Sequence, residues 1–116
     1  MLPLRVRAPK VEDTPMGDAH LHAFSCSYTR SVLEVLLRGD LSFLDGLVTT
    51  NTCDHMLRLA GELKDKANMP LVHYFSMVHT LSDAAKGWFA SEVQGLVAAI
   101  EKSLGVKITE EDLRKS

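Results

Sequence analysis

The chain has 116 residues, 46% hydrophobic and 24% charged, with a formal net charge of −2. That size allows one domain at most, or a piece of a larger one, and the composition is globular rather than disordered or fibrous. No basic block interleaves with aromatics, no run approaches the ~20 apolar residues of a membrane span, and MLPLRVRAPK lacks the apolar stretch of a secretory signal. The expected setting is cytoplasmic, with neither nucleic acid nor membrane as a partner.

Residues 4–9, LRVRAP, alternate Leu4, Val6 and Ala8 with Arg5 and Arg7 and read as a half-buried strand ended by Pro9. KVEDTPMGD reads as a loop marked by Pro15 and Gly17, and residues 20–24 as a second short extended run. From Tyr28 the period becomes helical. Val32, Leu33, Leu36 and Leu37 form one face, Val35 widens it, and Gly39 after Arg38 is the expected stop. Arg38-Gly39-Asp40 is therefore read as a helix end rather than an adhesion signal. DLSFLDG is expected to be a tight turn whose Leu41, Phe43 and Leu44 plug the core.

Residues 44–50 contain the next strand, and Thr52-Cys53-Asp54 opens a helix with Met56, Leu59, Ala60, Leu63 and Ala67 on its apolar side. Asn68 and Pro70 close it. Residues 70–77, PLVHYFSM, are nearly continuous in apolarity, as suits a central parallel strand covered on both faces. Ser82 or Asp83 caps the longest helix, whose Ala85, Phe89, Val93, Leu96, Val97, Ile100 and Leu104 recur at three- and four-residue spacing up to Gly105. Thr109, Glu110, Glu111 and Asp112 then look like another helix start. A helix of about one turn is not stable alone. The chain is thus expected to be a fragment: residues 1–105 an α/β domain, residues 106–116 the lead into an absent second domain.

Alternating strands and helices with short connections predict an α/β fold, a parallel sheet flanked by helices of the flavodoxin- or Rossmann-like kind. Such sheets bind ligands outside the carboxyl ends of their strands. Cys26 and Cys53 each stand where an extended run gives way to a helix, so parallel strands would bring both thiols to one edge.

A cysteine taken singly is most often a small buried hydrophobe. Here both are expected at helix N-termini, which favour a thiolate, with Ser25, Ser27 and Thr52 as hydroxyl neighbours able to hydrogen-bond sulfur. Residue by residue, ligation and core packing are equally supported. A redox dithiol is disfavoured by the 26 intervening residues. A zinc site would need His22 and His55 as well, without the usual paired short spacings. No Walker or G-x-G-x-x-G sequence is present, and no carboxylate pair stands out as catalytic.

The stretch GDAHLHAFSCSYTRSVLEVLLRGDLSFLDGLVTTNTCDHM, residues 17–56, resembles the cluster-binding core of the 2-hydroxyacyl-CoA dehydratase and benzoyl-CoA reductase subunit family. The matching pieces are Cys26 with Arg30-Ser31 and Glu34, then Gly39, Phe43-Leu44-Asp45-Gly46, and Thr52-Cys53-Asp54 with Arg58. The tail from Trp88 resembles the same family's linker helix and the start of its next helix. The resemblance implies flavodoxin-like domains, a [4Fe–4S] cluster held by three cysteines in many members, an acyl-CoA substrate, a related partner subunit and an ATP-dependent iron–sulfur activator protein. It also implies anaerobic lyase chemistry, in which one electron converts a thioester carbonyl to a ketyl radical that expels hydroxide. In the reductase branch, an aromatic acyl-CoA is reduced instead. Cys26 and Cys53 are the implied ligands. The third ligand and the family's segment before the first strand are absent from this chain, so a cluster-free α/β packing module stays open beside the two enzyme readings.

Overall fold

The computed structural model describes residues 2–7, 11–66 and 68–115. Its elements are α1 (Pro15–His20), α2 (Ser27–Leu37), β1 (Gly46–Thr50), α3 (Asp54–Lys66), β2 (Leu71–Phe75), α4 (Asp83–Leu104) and α5 (Glu110–Lys115). The α/β class holds, with one parallel strand pair at its centre.

Two sequence expectations fail near the amino end. Residues 2–7 form no strand, and positions 8 and 9 of the expected strand lie outside the described residues. The loop expected around Pro15 is the helix α1. Proline is well suited to a first helical position, where its fixed φ fits and its missing N–H costs nothing. Thr14 Oγ1 donates to Asp18 Oδ1 at 3.0 Å and fastens that first turn. Residues 21–25 are consequently a turn rather than a strand: Leu21 reaches the core while Phe24 is 85% exposed.

α2 follows its pattern closely, with Val32, Leu33 and Val35 buried. Its end is a Schellman arrangement, in which Gly39 (φ 83°) donates to Leu36 O and Asp40 N donates to Val35 O, each at 3.1 Å. A positive φ is why glycine stands there. In the turn that follows, Phe43 is 66% exposed instead of plugging the core, while Leu41 and Leu44 are half-buried.

β1 and β2 pair in parallel with Leu47 opposite Val72 and Thr49 opposite Tyr74. Leu47 and Val72 pack on the cluster of Leu21, Val32, Leu33, Leu59 and Leu63, so α3, backed by α2, covers that face. Phe75 meets Phe89 of α4 edge-on at 5.6 Å. Because alternate strand residues point to opposite faces, α4 covers the other side. No third strand pairs among the described residues, so β2, expected to be central, has a free edge and Tyr74 is 36% exposed.

Ser82 caps α4, its Oγ accepting from Ala85 N at 3.1 Å, and Gly105 ends it at φ 65°. Thr109 and Asp112 form a reciprocal capping box at α5. None of the described helices is long and apolar enough to cross a membrane.

Candidate metal centre

Cys26 and Cys53 occupy equivalent places. The Cys26 carbonyl accepts from Arg30 N at 3.2 Å and the Cys53 carbonyl from Leu57 N at 3.1 Å, so each cysteine closes the first bond of its helix, α2 or α3. Helix geometry leaves the N–H groups just beyond such a residue free to point at an anion. The strand expected before Cys26 is replaced by the turn at residues 21–25, so only Cys53 follows a strand. Both cysteines nonetheless line one cavity of about 1050 Å³, which runs along the whole of β1 and is walled by apolar groups such as Val6, Met56, Leu71 and Ile100. Both are free cysteines, Cys26 half-buried and Cys53 exposed.

The thiol of Cys26 ionises more readily than an ordinary cysteine. Burial pushes its pKa up, but hydrogen bonds from the Thr29 side chain and from the backbone N–H groups of Thr29, Tyr28 and Cys26 outweigh that, and the net shift is down. Thr29 is fully buried, and its Oγ1 lies 3.5 Å from Cys26 Sγ. Among the expected hydroxyl neighbours, Ser25 is buried with its Oγ unpaired in the described structure, Ser27 is exposed as the first residue of α2, and Thr52 lies on the cavity beside Cys53. Spacing pointed to the immediate neighbours and passed over Thr29. Its place three residues into a cysteine-capped helix, where a side chain turns back to the cap, was the signal that could have found it.

The four-ligand arrangement with His22 and His55 does not form. Among the described residues no three His, Cys, Asp or Glu side chains converge on a metal position. The His22 ring stacks on Phe24 with centroids 5.0 Å apart, and its Nδ1 accepts from Phe24 N. Arg30 is in an ion pair with Asp18 at 3.0 Å. His79 is exposed and lies off the cysteine cavity. Thiols are the soft donors that iron–sulfur centres use.

The family model for the 2-hydroxyglutaryl-CoA dehydratase D-component matches residues 1–116. The chain is 31% identical over 101 residues to a benzoyl-CoA reductase subunit of Thauera aromatica, covering 86% of this chain and 26% of that protein. It is 30% identical over 95 residues to the (R)-phenyllactyl-CoA dehydratase beta subunit of Clostridium sporogenes, covering 81% and 25%. The beta subunit of lactoyl-CoA dehydratase from Anaerotignum propionicum is 25% identical over 115 residues, 99% of this chain and 30% of that one. The chain therefore spans between a quarter and a third of these relatives' length, and all three are by name subunits of dehydratases or reductases. With a match along its whole length, the chain belongs to the 2-hydroxyglutaryl-CoA dehydratase D-component family.

Proposed function

We propose that this chain supplies Cys26 and Cys53 as two thiolate ligands of a [4Fe–4S] cluster in a 2-hydroxyacyl-CoA dehydratase-type subunit. The observation that carries the reading is the pair of cysteines on one apolar cavity, each immediately before the first residue of a helix. Such a cluster would supply one electron to the thioester carbonyl of an acyl-CoA, giving a ketyl radical that loses the hydroxyl. The chain's own part is to present the two cysteines on a cavity walled mainly by apolar side chains. The third ligand comes from outside these residues, the electron from an ATP-dependent iron–sulfur activator, and the assembly includes a related partner subunit in the cytoplasm.

Anaerobic iron and sulfide analysis of the full-length protein tests this. Cys26→Ser and Cys53→Ser are each expected to abolish a four-iron cluster, and a full complement in either variant refutes the ligand assignment. The 116-residue chain alone is expected not to hold a complete cubane, so a stoichiometric four-iron spectrum from it contradicts the two-ligand reading. The likeness to a benzoyl-CoA reductase subunit supports a second reading, reduction of an aromatic acyl-CoA. Assays of the assembled enzyme on 2-hydroxyacyl-CoA and aromatic acyl-CoA esters separate the two. A full-length protein free of iron and sulfide after anaerobic isolation would leave a packing module.

A further inference from the structure

We propose that Thr29 is the positioning residue for the Cys26 sulfur, a buried hydroxyl placed to turn from the backbone carbonyl to the sulfur when the sulfur binds a metal. This rests on the reading of Cys26 and Cys53 as a ligand pair. Thr29 is 0% exposed, and its Oγ1 donates to the Cys26 carbonyl at 3.0 Å while lying 3.5 Å from Cys26 Sγ. One hydroxyl proton, sealed from water, has two acceptors within reach.

While Cys26 carries its proton, Sγ–H can donate to Oγ1 and the hydroxyl can keep its bond to the carbonyl. Once a metal ion takes the place of that proton, the sulfur only accepts, and a hydrogen bond to a charged acceptor is about twice as strong as a neutral one. The hydroxyl then rotates to sulfur. The carbonyl is not stranded by the change, because it retains the Arg30 N–H at 3.2 Å. The helix bond therefore lets the exchange cost little, and the Cys26 side chain stays aimed at the cavity in both states. Neither expected serine neighbour is placed to do this: Ser25 Oγ has no partner among the described residues and Ser27 is exposed.

Cadmium(II) added to the full chain under reducing conditions provides the probe, read by the ultraviolet sulfur-to-cadmium charge-transfer band. Thr29→Val keeps the shape and removes the hydroxyl. It is expected to weaken cadmium binding about tenfold, equivalent to about 1.4 kcal/mol, and to move the band to lower energy because the sulfur lone pairs lose their hydrogen bond. Thr29→Ser is expected to retain both affinity and band position. A Thr29→Val chain with unchanged affinity and band overturns the proposal, as does a folded Thr29→Ser chain that behaves like Thr29→Val. Should Thr29→Val lose its far-ultraviolet helix signal, Thr29→Ala carries the same comparison, and the Thr29→Ser criterion stands regardless. Cys53→Ser separates the two levels: unchanged cadmium affinity there refutes the ligand pair itself, whereas a loss there with no effect of Thr29→Val refutes only the role of Thr29.

Discussion

Cys26 is the residue whose chemistry is set most clearly by its surroundings. Its neighbours stabilise the ionised sulfur more than burial opposes it, so its pKa lies below that of an ordinary cysteine. An acid whose charged form is favoured ionises at lower pH, so the pH profile for alkylation of Cys26 by iodoacetamide in a Cys53→Ser chain should have its midpoint below the ordinary thiol value. A midpoint at or above that value contradicts the hydrogen-bond account. Glu34 shows the opposite use of a charge. Its side chain is 1% exposed, with Oε2 accepting from Gly17 N and Oε1 from Arg38 Nε, both at 2.8 Å. Glu34→Ala leaves the Gly17 N–H and the Arg38 Nε–H without their acceptor, and is expected to cost about 2–3 kcal/mol by urea unfolding. A loss below about 0.5 kcal/mol would show that water replaces both bonds.

At the scale of elements, α1 is held to α2 by close backbone approach. A Cβ at Gly17 would stand 2.5 Å from Arg30 O, a backbone atom that cannot turn aside. Gly17→Ala should therefore destabilise by about 1–3 kcal/mol, although alanine is the better helix former. Gly61 in α3 is the control, because a Cβ there meets nothing within 4 Å. Gly61→Ala should stabilise by up to about 1 kcal/mol, and the two melting shifts should have opposite signs. Equal signs would mean that α1 moves freely on α2. α4 depends on its cap in the ordinary way, and Ser82→Ala should cost about 1 kcal/mol, read as a drop in melting temperature.

The whole molecule is more open than a compact domain of its length. Its radius of gyration is 15.6 Å, against about 13 Å expected for a compact chain of this size. Large apolar residues stand in solvent at well-separated places: Phe24 at 85%, Leu81 at 102% and Trp88 at 53% exposed. With the outer edge of β1 unpaired among the described residues, the cavity beside it is correspondingly wide. Exposed apolar surface on this scale binds hydrophobic dyes and drives self-association. The isolated chain should therefore enhance anilinonaphthalene sulfonate fluorescence and show concentration-dependent sedimentation, and a dye-silent monomer at high concentration would contradict the exposed surface described here.

Periodicity and punctuation determined the local structure of α2, α3 and α4, the parallel strand pair and the glycine stops at Gly39 and Gly105, because amphipathic spacing and positive φ are written in neighbouring residues. The helix starts just after Cys26 and Cys53 were legible for the same reason, since the helical period begins there. The strand expected at residues 20–24, and the described residues 4–7 of the one expected at 4–9, failed because extended segments need a partner for their backbone groups, and alternation in sequence cannot supply one. The likeness of residues 17–56 to a known family carried the family assignment, while tertiary structure alone decided which hydroxyl reaches Cys26, that both cysteines share a cavity, and that Glu34 crosses to Gly17. Those depend on contacts between segments that local sequence does not encode.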